Sequence, residues 1–152
     1  MNKLNVGDLA PDFTSQDDAG EKISLSDFRG EKIILYFYPK DDTPGCTLEA
    51  CNLRDEHDGL LKEGYVVLGV SPDGVGSHQK FKNKYQLPFR LVADGDKTIL
   101  NKYGVYGPKN MYGKEVMGVY RTTFIIDESG KIERIIDKVK TKEHAQQILE
   151  NS

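Results

Sequence analysis

A continuous run of apolar and aromatic side chains, KIILYFY, extends from Lys32 to Tyr38. Runs of this kind are typical of a strand that lies inside a sheet and is covered on both faces. Pro39 ends the run, because proline has no N–H to donate to a strand ladder. Shorter apolar runs over Tyr65–Val70 and Phe89–Ala93 predict two further buried strands.

Helix signals occupy the segments between these strands. Threonine is a good N-cap and proline is favoured at the first helical position, so Thr43 introduces a predicted helix from Pro44 to about Lys62. Gly64 is suited to end that helix, since glycine readily adopts the left-handed conformation that follows one. A second helix is predicted over Ser77–Tyr85 and a short one over Lys97–Tyr103.

The last third of the chain predicts a strand pair and a helix. Val119–Ile126 is the first strand, Asp127–Gly130 a turn, and Lys131–Asp137 the antiparallel partner. Thr141–Glu150 is predicted as the final helix, with Thr141 as its N-cap. The segment Lys109–Lys114 is expected to form a mobile loop near the functional site.

The order of these elements indicates the fold class. After a hairpin around Asp18-Ala19-Gly20, the order β-α-β-α-β-α-β-β-α predicts an α/β fold, with a mixed central sheet and helices on both faces. The crossovers make the first strands parallel, and the late hairpin adds antiparallel strands. This is the thioredoxin-like arrangement. The length predicts that residues 1–152 form a single domain.

Composition and charge exclude several classes of protein. The chain is 38% apolar and 30% charged, which is typical of a globular domain and not of a disordered segment. The net charge is −3 and no basic block is present, so neither nucleic acid nor an anionic membrane is expected as a partner. No apolar run approaches the roughly 20 residues of a membrane span. Residues 1–10 lack the order of a signal peptide, so a cytoplasmic location is expected.

The chain has two cysteines, Cys46 and Cys51, and three scattered histidines. A structural disulfide is not expected in a reducing compartment. A structural zinc site needs four ligands at recognisable spacing, and the sequence offers no such cluster. Redox chemistry on the two thiols is therefore the interpretation that remains.

Cys46 is the candidate reactive thiol, because it falls in the first turn of the predicted helix. Free backbone N–H groups and the positive end of the helix dipole favour the thiolate there. Complete ionisation of an ordinary thiol raises the thiolate at neutral pH by at most about thirtyfold. A fast reaction then needs donors that stabilise the leaving oxygen. The Thr43 hydroxyl, backbone N–H groups and a guanidinium are candidates.

Arg121 is the candidate guanidinium. It lies in a predicted strand that is otherwise half-buried, and a charge in such a position needs a partner. The Cys46 thiolate is one possible partner and Glu49 is another. The alternative is an arginine that faces solvent on an alternating strand.

Cys51 lies five residues after Cys46. In an ideal helix this spacing places the two Cα atoms about 8.6 Å apart and about 140° around the axis. A disulfide needs Cα atoms within roughly 7 Å, so the pair can bond only if the first turns of the helix unwind. The alternative is that Cys51 is an inert small side chain in the core.

The segment Pro39-Lys-Asp-Asp-Thr-Pro-Gly-Cys46-Thr-Leu-Glu-Ala-Cys51 resembles the peroxiredoxins. The resemblance is closest to the peroxiredoxin Q group, also called bacterioferritin comigratory proteins. It covers essentially the whole chain, including Gly7-Asp-Leu-Ala-Pro-Asp-Phe13 and Tyr120-Arg-Thr-Thr-Phe-Ile-Ile-Asp127. The Pro-x-x-x-Thr-x-x-Cys pattern is far more specific than a lone cysteine.

The resemblance implies a role for each matching residue. Cys46 corresponds to the peroxidatic cysteine, which becomes a sulfenic acid, and Thr43 to the hydroxyl that contacts sulfur and peroxide. Pro39 corresponds to the residue that shields the pocket from water. Arg121 corresponds to the arginine that holds the thiolate and peroxide, and Glu49 to the acid that orients it.

The resemblance also implies a catalytic cycle and its partners. Cys51 matches the resolving cysteine, which closes an intramolecular disulfide after hydrogen peroxide or an organic hydroperoxide is reduced to water or alcohol. Thioredoxin, or sometimes glutaredoxin, supplies electrons in this family, and this group is often monomeric. No metal or organic cofactor is implied. The implied purpose is antioxidant defence and redox homeostasis.

Three other functions stay open on the residues alone. A thiol–disulfide oxidoreductase would be expected to carry Cys-x-x-Cys, which is absent here. A peroxide sensor would turn over once and pass its oxidation to a partner protein. A binding module would hold both thiols inert.

Overall fold

The computed structural model describes residues 4–150 of the chain. Within that range the strands are β1 Thr14–Asp17, β2 Lys22–Ser24, β3 Lys32–Phe37, β4 Tyr65–Ser71, β5 Arg90–Ala93, β6 Tyr106–Met111, β7 Lys114–Val119, β8 Thr122–Ile126 and β9 Ile132–Ile136. The α-helices are α1 Pro44–Asp55, α2 His57–Lys62, α3 Val75–Tyr85, α4 Thr98–Lys102 and α5 His144–Glu150. A short 3-10 helix spans Leu25–Phe28.

Seven of these strands form one mixed sheet in the order β2-β1-β5-β4-β3-β8-β9. β3 pairs with β4 and β4 with β5 in parallel, and the other pairings in the sheet are antiparallel. The predicted N-terminal hairpin is confirmed as β1 and β2, and the predicted late strand pair is confirmed as β8 and β9. The predicted mixed sheet is thereby confirmed.

The central strand β3 is buried on both faces, as its continuous apolar run predicts. Ile33, Leu35 and Phe37 point into a core that includes residues of α4 and the 3-10 helix. Ile34 and Tyr36 point into a second core that includes residues of α1, α2, α3 and α5. The helices therefore cover both faces of the sheet. Among the described residues no helix is long and apolar enough to cross a membrane.

Two predicted helices differ from the observed ones by more than a shift of one or two residues. The helix expected over residues 44–62 is broken at Glu56, whose backbone (φ −101°, ψ 10°) separates α1 from α2. The last helix begins at His144 and not at Thr141, so Thr141 is not its N-cap. The first i−4 hydrogen bond there runs from the Gln147 N–H to the Glu143 carbonyl. At the start of α5 the Ala145 N–H donates to the Asn52 side chain on α1, a contact between distant segments that local patterns do not report.

The predicted strand over residues 119–126 is two strands. β7 ends at Val119 and β8 begins at Thr122, so Tyr120 and Arg121 lie between strands of two different sheets. The expected mobile loop at residues 109–114 is also wrong, because these residues belong to the antiparallel β6–β7 hairpin and its turn. The Tyr112-Gly113 turn has positive φ at both residues, which is the geometry of a tight two-residue hairpin turn.

Candidate active site

Cys46 lies in the first turn of α1, the helix that follows the central strand. β3 ends at Phe37, and α1 begins at Pro44 after a short loop, so Cys46 is the third residue of the helix and only 2% exposed. The first hydrogen bond of the helix runs from the Thr47 N–H to the Thr43 carbonyl. The N–H groups of Gly45 and Cys46 therefore precede the first helical hydrogen bond, and Cys46 lies at the positive end of the helix dipole.

A buried polar cluster anchors the loop that leads to Cys46. The carboxylate of Asp41 accepts hydrogen bonds from the Tyr38 hydroxyl (2.6 Å) and the Ser77 hydroxyl (2.8 Å), and it lies 2.7 Å from Nδ1 of His78. The backbone N–H of Asp41 donates to Asp73 (2.7 Å). These bonds connect the loop between β3 and α1, residues 38–43, to α3 and to the end of β4.

Arg121 connects Cys46 to Glu49. Its Nη2 lies 3.3 Å from the Cys46 sulfur, and its Nη1 donates to Oε1 of Glu49 across 2.6 Å. A Cβ on Gly45 would lie 3.2 Å from Nη2, so the absence of a side chain there permits the close approach. Burial lowers the pKa of Arg121, but Glu49 and Cys46 more than offset this and raise it, so the guanidinium stays charged.

Glu49 is fully buried on the second turn of α1. Burial raises the pKa of Glu49 to about 7, even though Arg121 acts in the opposite direction. Its second oxygen, Oε2, has no hydrogen-bond partner. Within residues 4–150 the one other buried side-chain polar atom without a partner is the Tyr36 hydroxyl, in the same core as Cys46.

His144, at the start of α5, lies behind Glu49. Its Nε2 is 3.6 Å from Oε2 of Glu49 and 2.7 Å from the hydroxyl of Thr123, while Nδ1 is 3.0 Å from the side-chain oxygen of Gln147. Burial lowers the pKa of His144 to about 4, so the ring is neutral near pH 7. The contact with Glu49 is therefore not an ion pair.

Thr43 and Pro39 lie in the loop on the approach to Cys46, and both are partly buried. Thr43 occupies the N-cap position of α1, as predicted, but its side chain makes no capping hydrogen bond. Its hydroxyl donates instead to the Lys40 carbonyl at 2.8 Å, so the oxygen lone pairs remain available as acceptors. The structure thus brings Cys46 and Arg121 into contact. The Thr43 hydroxyl is hydrogen-bonded within the loop.

Cys51 lies on the same unbroken helix as Cys46, and both thiols are free. Cys51 is partly buried, and this burial raises the pKa of its thiol, which keeps it protonated near neutral pH. The next residue, Asn52, joins α1 to α5: its Oδ1 accepts from the Ala145 N–H (2.7 Å) and its Nδ2 donates to the Lys142 carbonyl (3.0 Å).

Two buried histidines near the site were not predicted from the sequence. His78 and His144 are both fully buried, and their polar partners Asp41 and Glu49 lie far away along the chain. No local pattern could have paired them, because each contact depends on how a helix packs against the loop or helix that carries Cys46.

Comparison with known proteins places this geometry in a family. The model of the AhpC/TSA family matches residues 6–135. A Coxiella burnetii protein named as a peroxiredoxin of the Bcp type is 53% identical over 96% of this chain and 97% of its own length.

Solved structures give the same result. A PrxQ structure from Xylella fastidiosa superposes with a TM-score of 0.92 at 32% identity, covering 99% of this chain and 96% of that one. The bacterioferritin comigratory protein of Xanthomonas campestris, studied for its alkyl peroxide reduction activity, gives 0.86 at 37% identity over 91% and 88%. The fold and the thiol site define a thiol-dependent peroxidase with a thioredoxin-like fold. The chain belongs to the AhpC/TSA family, and its relatives are peroxiredoxins of the Bcp and PrxQ type.

Proposed function

We propose that Cys46 is the peroxidatic cysteine for hydrogen peroxide and organic hydroperoxides. The observation that carries this is the contact between the Cys46 sulfur and the Arg121 guanidinium, at a helix N-terminus. The thiolate attacks one peroxide oxygen and the O–O bond breaks. The sulfur keeps one oxygen as sulfenic acid, and the other leaves as water or alcohol after it gains a proton. Arg121 stabilises the charge that develops on the oxygens.

Thr43 and Pro39 complete the peroxide site in this proposal. Since the Thr43 hydroxyl donates its hydrogen bond to the Lys40 carbonyl, its oxygen is free to accept a hydrogen bond from the O–H of a hydroperoxide. Pro39 has no N–H and presents an apolar ring at the start of the loop, which excludes water from the thiolate.

Cys51 is the resolving cysteine in this cycle. Its thiol condenses with the Cys46 sulfenic acid, so that a disulfide forms and water leaves. The two cysteines share one helix, and a disulfide cannot form across five intact helical residues. The N-terminal turns of α1 must therefore unwind between oxidation and resolution. Unwinding also exposes Cys51, which removes the burial that keeps it protonated.

A dithiol protein of the thioredoxin class, or a glutaredoxin, reduces the disulfide by exchange and restores both thiols. We propose that the chain works as a single domain and a monomer in the cytoplasm, in antioxidant defence and redox homeostasis. Two free thiols are consistent with a reducing compartment. A net charge of −3 is consistent with the lack of a nucleic-acid or membrane partner.

The test is hydroperoxide consumption coupled to thioredoxin and its reductase, with Cys46→Ser and Cys51→Ser beside the wild type. Cys46→Ser is expected to lose all activity. Cys51→Ser is expected to consume one equivalent of peroxide per chain and then stall. Full thioredoxin-driven turnover in Cys51→Ser would contradict the resolving role. A single turnover in the wild type would instead indicate a peroxide sensor.

A further inference from the structure

A chain of four polar side chains runs inward from the reactive sulfur. Arg121 contacts Cys46 at 3.3 Å and Oε1 of Glu49 at 2.6 Å, and Oε2 of Glu49 lies 3.6 Å from Nε2 of His144. Glu49 and His144 are both fully buried. The peroxidase cycle proposed above uses the sulfur and the guanidinium and gives no role to His144.

The hydrogen bonds around His144 determine which ring nitrogen carries its proton. The side-chain N–H of Gln147 donates to the Lys138 carbonyl, and the side-chain oxygen accepts from the Lys140 N–H. That oxygen therefore faces Nδ1 of His144, which must be the protonated nitrogen in the neutral ring. Nε2 then presents a lone pair, to which the Thr123 hydroxyl donates.

The lone pair of Nε2 also faces Oε2 of Glu49, which has no other partner. A carboxylate oxygen gains nothing from a lone pair at this distance, whereas a protonated oxygen gains an acceptor. Glu49 thus has one oxygen that faces a donor, on Arg121, and one that faces an acceptor. This arrangement suits a neutral carboxylic acid with its proton on Oε2.

The charge balance of the site favours the same state. Cys46 and Glu49 are two acids that share one buried cation, Arg121. If both acids ionised, the site would hold an uncompensated negative charge, which is costly in a buried position. Charge balance therefore favours one negative charge, and not two, beside Arg121. The helix N-terminus favours the charge on Cys46, and the acceptor on His144 favours the proton on Glu49.

We propose that His144 is a positioning residue of the peroxidase site, which accepts a hydrogen bond from Oε2–H of a neutral Glu49 and so leaves the charge of Arg121 to the Cys46 sulfur. This inference rests on the proposed peroxidatic role of Cys46. An approach of about 0.6 Å between Oε2 and Nε2 brings them to hydrogen-bond distance. If Glu49 were charged, it would compete with the sulfur for the guanidinium.

The other titratable groups around Glu49 are consistent with its neutral form. Tyr36, on β3, faces Glu49 and Cys46, and burial raises its pKa, so the phenol is neutral. Within the described residues, Arg121 is the one cation that contacts Glu49, because His144 on the other side is neutral. The raised pKa of Glu49, about 7, has the direction that this arrangement requires.

The charged groups that face His144 keep its lone pair free of a proton. Burial is the largest cause of its lowered pKa, and the positive charges of Arg121 and Arg134 act in the same direction. Arg134, on β9, is held beside α5 by a hydrogen bond to the Ile148 carbonyl at 2.8 Å. His144 therefore remains an acceptor at any pH near neutrality.

Infrared difference spectroscopy of the reduced full-length protein tests the proposal. About one pH unit below the pKa of Glu49, the wild type is expected to show the carbonyl band of a buried carboxylic acid. That band is absent from Glu49→Gln, which assigns it. His144→Leu removes the acceptor and is expected to move the band to higher frequency. His144→Gln offers an amide oxygen and is expected to bring it back toward the wild-type position.

Thr123→Val is expected to shift the Glu49 carbonyl band in the opposite direction to His144→Leu. It removes the hydroxyl that competes for the Nε2 lone pair, so the bond from Glu49 strengthens and the band is expected at lower frequency. The ionisation constant of Glu49 is expected to rise about fivefold in His144→Leu and to fall in Thr123→Val. The pH profile of the peroxide reaction of Cys46 should move with it. His57→Leu, a partly buried histidine outside the site, is the matched control.

Two results would overturn the proposal. One is a wild-type spectrum with no band that Glu49→Gln removes. The other is a shift of the band in the same direction in His144→Leu and Thr123→Val. If His144→Leu does not fold, a wild-type band position in Thr123→Val would overturn it equally. The infrared band is read without peroxide, so its outcome is independent of whether Cys51 and thioredoxin complete the cycle.

Discussion

Nη2 of Arg121 lies 3.3 Å from the sulfur of Cys46, although 75 residues separate the two in the chain. Two irregular features permit this contact. Arg121 lies in the break between β7 and β8, which frees its side chain from the pleat of a strand. Gly45 has no side chain to obstruct the approach. The fold therefore holds the guanidinium beside the Cys46 sulfur without a bound ligand, which is the condition for electrostatic stabilisation without reorganisation.

Replacing Arg121 by Gln is expected to slow the reaction of Cys46 with hydrogen peroxide by about 100- to 1000-fold, because one preorganised donor to the developing charge is lost. Stopped-flow measurement of the second-order rate constant checks this. Arg54→Gln is the control, since Arg54 contacts Asp55 and the Tyr85 carbonyl, away from Cys46. Equal rates in Arg121→Gln and the control would contradict the catalytic role.

Oxidation to the Cys46–Cys51 disulfide is expected to unwind the first turns of α1, because the intact helix keeps the two thiols too far apart. Hydrogen exchange followed by mass spectrometry should show faster amide exchange over residues 46–55 in the disulfide form. α3, Val75–Tyr85, serves as the internal reference. Cys51→Ser treated with peroxide is the matched control, and unwinding there would show that the sulfenic acid alone opens the helix.

Asn52→Ala is expected to reduce the free energy of unfolding by about 1–2 kcal/mol, because the N–H of the buried Ala145 loses its acceptor and the exposed Lys142 carbonyl loses a donor. Ala145 donates its N–H to the Asn52 side chain, and Lys142 accepts from it. Urea denaturation measures the change. Asn101→Ala, which removes an exposed side chain that donates to the Lys97 carbonyl, is the control and should lose less.

Variants of Glu49 and His144 are expected to change the pH dependence of the free energy of unfolding in opposite directions, relative to the wild type. The pKa of Glu49 is raised from 4.5 to about 7 in the folded state, so its stabilising contribution is present below pH 4.5 and is lost as the pH rises to 7. The pKa of His144 is lowered from 6.5 to about 4, so its contribution is present above pH 6.5 and is lost as the pH falls to 4.

Each contribution is roughly 3 kcal/mol in full, and the two largely cancel in the wild type. Relative to the wild type, Glu49→Gln should therefore become more stable as the pH rises from about 4.5 to about 7. His144→Gln should become less stable over about pH 4 to 6.5. Urea denaturation across this pH range measures the free energy of unfolding of each protein. Parallel curves for both variants and the wild type would show that neither group has a shifted pKa.

The sequence predicted the parts of the site that local rules determine. The buried run of β3, the proline at the start of α1 and the place of Cys46 in its first turn all follow from short-range preferences, and the structure confirms them. Arg121 could be paired with Cys46 or Glu49 on charge alone, and the structure shows that it contacts both.

What the sequence could not predict depends on packing between distant segments. The break at Tyr120–Arg121 is invisible in an apolar pattern that continues from one strand into the next. His144 is one polar residue in a polar segment, and its burial behind Glu49 results from the docking of α5 on α1. A threonine at an N-cap usually bonds a backbone N–H of the helix. The Thr43 hydroxyl instead donates to the Lys40 carbonyl, because the loop brings that carbonyl within reach.

The intact mass of the reduced protein after one equivalent of hydrogen peroxide, and again after reduced thioredoxin, tests whether Cys51 resolves an oxidised Cys46. We expect the loss of two hydrogens in the first step, through a Cys46–Cys51 disulfide, and full reversal in the second. No change in mass, or added oxygen that thioredoxin cannot remove, would contradict it, because the sulfenic acid would then not be resolved by Cys51.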